Sequence, residues 1–274
     1  MNHDPIDVRR AALSRRRFLI AGGASVSLGA LLAACGGGGS STGIPRIGLT
    51  PDPTELPDAP VTDVALLRTA SSLEYNAIFA YETAAGLGVL TGDAKSLAGR
   101  FLDDHKRHAD TIVAATEAAG GNPWTEPNPR LQSIYVEPAL ALIAESDDQL
   151  GDVLALAYAL ETLAGATYQS FVPLFDDKAL RAAAMGNGEE EGRHAATLGL
   201  VLNPSRLVTS TGLSIADEFA ETETATFYAV PSAFGTLSPV PVTLGPADEN
   251  GARTTVNLET PSLNSLVYEY FDEE

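Results

Sequence analysis

Six residues carry the chemistry this chain is equipped for. Glu191 and His194 stand three positions apart, and so do His105 and His108. A helix turns about 100° per residue, so residues at i and i+3 share a face and can grip one ion. Glu74 sits among Leu73, Ala77 and Ile78, and Glu161 among Leu160, Leu163 and Ala164. Those neighbours place each carboxylate at the buried stripe of a helix, where it needs a cation, a hydrogen-bond partner or a proton. Tyr81 and Tyr168 follow the two glutamates by seven residues, about 20° from the same line, and can donate hydrogen bonds to a ligand shell. Carboxylate and imidazole together suit iron or manganese, one ion or two. Thiolate is absent from the set, because Cys35 is the sole cysteine and neither a disulfide nor a cysteine-based cluster can form within the chain.

The same residues also admit a plainer arrangement. The histidines would then lie on an acidic, solvated helix surface, and Glu189-Glu190-Glu191 would be an exposed charge run. Glu74 and Glu161 would share a proton or bond the tyrosines. Against this, three of the four histidines of the chain fall at these positions, and the fourth, His3, is near the N-terminus.

The elements that must position these residues are helical. Val64 to Ala85 has apolar residues at helical spacing, with Asp63 as its cap. A second helix spans about Asp93 to Ala119 and stops at Gly120-Gly121-Asn122-Pro123. Residues 120–147 form a long, proline-bearing connection. A third helix spans about Gln149–Val172 and a fourth about Asp176–Leu202, ending at Asn203-Pro204. The segments repeat in pairs. Ser72-Leu73-Glu74 through Tyr81 matches Ala159-Leu160-Glu161 through Tyr168, and Asp103 to Ala109 matches Glu189 to Ala195, at separations of 87 and 86 residues. That is a duplicated helix hairpin. Two hairpins joined by one long crossover make a four-helix bundle with an all-α core.

With one Glu, one Glu and two i,i+3 pairs converging from four helices, residues 61–204 resemble a bacterial ferritin-like domain, the family that includes exported and desiccation-related ferritin-like proteins. The resemblance implies a di-metal carboxylate site with the order Glu, E-x-x-H, Glu, E-x-x-H. Glu74, His108, Glu161, Glu191 and His194 match that order. Glu191 would bridge, His108 and His194 would be terminal nitrogens, and Glu74 and Glu161 terminal or bridging carboxylates. His105 stands where the family has a glutamate. An imidazole has different charge and ligand atoms from a bridging carboxylate. Asp104 is the nearby carboxylate that could compensate. The site so composed suits one ion, an asymmetric pair or none.

The remaining segments suggest an address and an appendage. Residues 1–35 hold Arg15 and Arg16 within Ser14-Arg15-Arg16-Arg17-Phe18-Leu19-Ile20, which resembles a twin-arginine export signal, and then an uncharged run from Phe18 to Ala34. Leu32-Ala33-Ala34-Cys35 resembles a lipobox, with Cys35 lipidated. The expected partners are therefore the twin-arginine export machinery and a membrane held through that lipid, on the outer side of a bacterial membrane. Residues 36–60, rich in Gly, Ser and Pro, read as a flexible linker. The formal charge of −19 argues against nucleic acid, since phosphate binding needs clustered Lys and Arg. Residues 205–274 read as an extension with short strands at Val240–Leu244, Arg253–Leu258 and Ser265–Phe271, Pro239 and Pro241 marking an edge. It is expected to form a small C-terminal β appendage that covers a bundle end, docks a partner or forms a homodimer. The functional expectation is metal, O2 or peroxide handling at the cell envelope. The rival expectation is a metal-free scaffold for interaction or stress protection.

Overall fold

The computed structural model describes residues 46–47, 59–202, 240–258, 261 and 265–272. Arg15, Arg16 and Cys35 lie outside the described residues. Four long helices form the body: α1 (Asp63–Gly86), α2 (Gly92–Ala118), α5 (Gln149–Phe171) and α6 (Lys178–Leu202). Helix α1 packs along α2, and α5 along α6, as the duplicated hairpin requires. The crossover is partly helical. α3 (Pro129–Leu131) runs through a π turn at Gln132–Val136 into α4 (Glu137–Ala144). Proline at the first position of α3 is compatible with helix because its missing N–H is one that a helix start leaves unpaired.

The helix ends are local chemistry. Thr62, not Asp63, caps α1, its Oγ1 accepting from Ala65 N at 3.0 Å. The Asp63 carboxylate reaches across to the start of α6 and accepts from Asp176 N at 2.6 Å and Asp177 N at 3.0 Å. α2 ends at Gly120, whose φ of 82° lies in the left-handed region that glycine adopts without strain. α5 and α6 approach closely at Gly165 and Gly188: a Cβ on Gly188 would lie 2.9 Å from the Tyr168 Cβ. That proximity brings α6 near enough for Glu191 to reach the interior.

The β appendage is a three-stranded sheet of order β1-β3-β2, with β1 Arg46–Ile47, β2 Val240–Leu244 and β3 Thr254–Leu258. β2 and β3 are antiparallel, pairing Val242 with Val256, and β2 is an edge, where Pro241 is tolerated. Two expectations are corrected here. Arg46–Ile47, in the stretch read as a linker, pairs parallel with β3. Ser265–Phe271 is not a strand, and Glu269–Asp272 is a 3-10 turn. Its backbone groups are taken by the bundle: Asn128 Nδ2 donates to the Ser265 carbonyl at 2.7 Å, and Val267 N donates to Thr69 Oγ1 at 2.8 Å.

The sheet buries Val242, Leu244, Val256 and Leu258 against the crossover and α5, while Leu266 and Tyr268 join Leu66, Ile112 and Phe171 at the other end of the bundle. Two ion pairs, each with one buried partner, fasten these pieces. Asp152, in the first turn of α5, accepts from Arg253 and from Gly245 N. Arg68, fully buried on α1, donates to both carboxylate oxygens of Asp272 at 2.8 and 2.7 Å and to the carbonyls of Asn122 and Tyr268, with Trp124 5.5 Å below its guanidinium. Arg68→Met should cost about 2–3 kcal/mol, because two carbonyls lose their donor while Asp272, partly exposed, can rehydrate. Calorimetric unfolding would check it. An unchanged melting temperature would show that the bonds of Arg68 contribute nothing to the stability of the bundle.

Candidate metal centre

The six side chains singled out by type and spacing meet inside the bundle. Glu74 (α1), His105 and His108 (α2), Glu161 (α5), and Glu191 and His194 (α6) are all buried, none more than 4% exposed. Each helix contributes because the glutamates of α1 and α5 and the i,i+3 pairs of α2 and α6 lie on inward stripes. The contacts run within each hairpin and, through His105–Glu161 and His108–Glu191, between the two. His105 Nδ1 lies 2.8 Å from Glu74 Oε2, and its Nε2 lies 3.0 Å from Glu161 Oε1. His108 Nδ1 lies 2.8 Å from Glu191 Oε1. His194 Nδ1 lies 3.2 Å from Glu161 Oε2 and 3.1 Å from Glu191 Oε2. Ligand atoms of Glu74, His105, His108 and Glu191 all fall within 4.8 Å of one another, and so do those of His105, Glu161, Glu191 and His194.

The tyrosines are crossed too. Tyr81 of α1 donates to Glu161 Oε1 at 2.5 Å, and Tyr168 of α5 donates to Glu74 Oε1. Burial and the adjacent carboxylates push both phenols well above their usual range, so both stay protonated donors. Asp104 does not take the place that His105 leaves without a carboxylate. It lies beside the other hairpin's histidine, Oδ2 3.3 Å from His194 Nε2, and it accepts from Arg107 at 2.8 Å.

A family comparison decides the class. The ferritin-like domain family matches residues 62–204, a little over half of the chain. The chain belongs to the ferritin-like domain family. Neither a curated protein nor a solved structure matches it.

Two groups of this ferritin-like centre were not foreseen as parts of it. Glu190 Oε2 lies 3.0 Å from His108 Nε2 and accepts from Arg107 at 2.8 Å. Phe101 stacks on the His194 ring at 3.9 Å between centroids. The run Glu189-Glu190-Glu191 is split by helical rotation. Glu189 is exposed and paired with Arg193, Glu190 is half-buried behind His108, and Glu191 is fully buried. A signal existed in the spacing, since adjacent helical residues point about 100° apart. The i,i+3 spacing to His194 singled out Glu191, but did not show that Glu190 would stand behind His108.

The donor set fits a metal. His108 and His194 each turn Nδ1 inward to the carboxylates, while the outer Nε2 faces Glu190 or Asp104. An outer carboxylate that holds one ring N–H leaves the other nitrogen's lone pair for an ion and orients the ring. In metal-free protein, protons serve instead. Burial opposes a charged imidazole, but Glu161, Glu191 and Glu74 outweigh it and raise His105 well above its usual range. Against the same burial, Glu191 and Glu74 push His108 up to about 10, and Glu161 and Glu191 push His194 up to about 9. The reciprocal effect holds Glu74 down at about 2 and Glu161 well below the usual carboxylate range, burial notwithstanding. Glu191 goes the other way: burial and repulsion from Glu161 and Glu74 exceed the pull of the histidines. Glu191 is thus the carboxylate of the cluster whose charge its neighbours compensate least.

Proposed function

We propose that this protein is an envelope-anchored ferritin-like lipoprotein whose bundle holds one or two iron or manganese ions for metal, dioxygen or peroxide handling. The observation that carries the reading is the convergence of Glu74, His108, Glu161, Glu191 and His194 in two adjoining buried groups that share Glu191 and His105, with outer carboxylates behind both terminal histidines. Bound iron or manganese would supply the electron-transfer or Lewis-acid chemistry. Glu74 and His108 would hold one ion, Glu161 and His194 the other, with Glu191 between them. Tyr81 and Tyr168 would keep the terminal carboxylates oriented by donating to them. A cavity of about 70 Å³ reaches His105 and Glu161 between Leu73, Ala77, Val136 and Leu160. Its space exceeds that of a single water, so a small molecule can stand beside the centre.

Export through the twin-arginine route and lipidation at Cys35 belong to this proposal on the strength of Arg15-Arg16 and Leu32-Ala33-Ala34-Cys35. A membrane-tethered subunit with a C-terminal extension suits a closed storage shell poorly, which favours a site acting within the single bundle.

A second reading, a metal-free scaffold, draws on the same geometry: His105 contacts both Glu74 and Glu161, so the network pairs its charges without an ion. Metal analysis of full-length protein recovered from its own membrane separates the two. The first reading expects one or two equivalents of iron or manganese per chain. Metal-free protein that gains no ion on anaerobic incubation with Fe(II) or Mn(II) would leave the scaffold.

A further inference from the structure

We propose that His105 is a bridging ligand, its imidazole ring spanning two metal positions with one nitrogen facing each. The inference rests on the metal-binding reading above and adds the ligand that makes the centre dinuclear. The ring is 1% exposed and points its two nitrogens at different partners. Nδ1 faces the Glu74 set, 2.8 Å from Glu74 Oε2 and 3.7 Å from Glu191 Oε1. Nε2 faces the Glu161 set, 3.0 Å from Glu161 Oε1. Glu191 is divided in the same manner, Oε1 toward His108 and Oε2 toward His194. The two ligand groups therefore share two residues, His105 and Glu191, and each group can draw on a different atom of each shared residue.

Counting donors gives a symmetric result. One position receives a Glu74 oxygen, His108 Nδ1, a Glu191 oxygen and His105 Nδ1. The other receives a Glu161 oxygen, His194 Nδ1, the second Glu191 oxygen and His105 Nε2. Each has two nitrogens and two oxygens. A glutamate at position 105 would have left one nitrogen and three oxygens at each. Nitrogen-richer sites favour the later divalent ions, Fe(II) and Zn(II) among them, over Mn(II) and Mg(II). The substitution of His105 therefore keeps the centre dinuclear and changes which ions it prefers. A ring that ligates through both nitrogens carries a proton on neither, so the N–H protons of His105 pass to solvent as the pair loads.

Zn(II) is a suitable probe because it is diamagnetic and needs no oxidant. The full-length chain, labelled with 15N-histidine and loaded with Zn(II), should take up two equivalents. NMR should then find no N–H on His105, while His108 and His194 each keep one, on Nε2. His105→Gln should weaken the second equivalent at least 10-fold, the scale on which lost support of a metal site is felt. A His105 that retains an N–H in the two-zinc protein overturns the bridge, as does a His105→Gln protein that binds both ions with wild-type affinity. Uptake of only one Zn(II) by the wild type overturns the bridge while leaving metal binding intact. Uptake of none overturns the bridge, and if Fe(II) and Mn(II) are also refused the metal reading itself falls. The NMR measurement needs no variant, so a misfolded His105→Gln protein would not spare the proposal.

Discussion

Glu161→Ala should abolish metal binding at the Glu161–His194 position, leaving at most one equivalent, and lower the unfolding free energy of the metal-free bundle by about 3–5 kcal/mol, the cost of breaking a buried ion pair from one side. Glu161 is 1% exposed and accepts three bonds, from Tyr81 at 2.5 Å, His105 at 3.0 Å and His194 at 3.2 Å. Alanine strands all three donors. It also opens space beside a cavity that already touches Glu161, and water entering there sets the lower end of the range. Glu161→Gln separates the parts. The amide oxygen still accepts a bond in the same volume, so stability should recover in part, yet the lost charge should still prevent loading at the Glu161–His194 position. His194→Ala added to Glu161→Ala should cost less than the sum of the two, since the residues touch.

Calorimetry with and without Fe(II) under anaerobic conditions reads both effects. Wild-type protein at 100 times its dissociation constant gains about 2.7 kcal/mol from one bound ion. The alanine variant, left with the Glu74–His108 position alone, should gain less than the wild type. A Glu161→Ala protein whose melting temperature shifts with Fe(II) as far as the wild type's would mean that Glu161 holds no ion.

The fold was legible because its signals are local and doubled. Helical spacing around Glu74 and Glu161, the glycines after Ala119, and separations of 87 and 86 residues between matching motifs require no knowledge of what packs on what. The six candidate ligands were legible for the same reason, each marked by its type and by a place in the repeat. What escaped depends on contacts between distant segments. The Tyr81 and Tyr168 hydroxyls each serve the other hairpin's glutamate, and only the packed bundle brings them there. Asp63, a reasonable cap by position, is drawn to the backbone of Asp176 and Asp177 instead. Ser265 to Phe271 has the aromatic and β-branched content of a strand, but Arg68, Thr69 and Asn128 claim its backbone. The third strand comes from Arg46–Ile47 because a parallel partner can lie anywhere along the chain, and strand propensity does not name it.

Without metal, the protein should lose stability steadily as pH rises above about 6.5. His108 and His194 have folded values of about 10 and about 9 against an ordinary 6.5. A group raised on folding stabilises fully below its unfolded value, and that stability is gone once pH passes the folded value. Each histidine should therefore cost stability on the order of 1 kcal/mol per pH unit across its window. Both side chains are at most 5% exposed, so solvent screening relieves little of this. Glu74, held at about 2, acts in the opposite sense: its contribution is complete above about 4.5 and disappears as pH falls toward 2. The metal-free optimum should thus lie between about pH 4.5 and 6.5. Metal reverses the upper limb. An ion on Nδ1 of His108 and His194 competes with the protons held there, so loading strengthens as pH rises and the metal-bound melting temperature should hold or increase where the metal-free one falls. Paired melting curves from pH 5 to 9, one series in chelator and one in Fe(II) under anaerobic conditions, should diverge. Parallel, flat curves would show that the buried histidines are not held as cations by their carboxylates, and the proton-for-metal exchange derived from that geometry would fail.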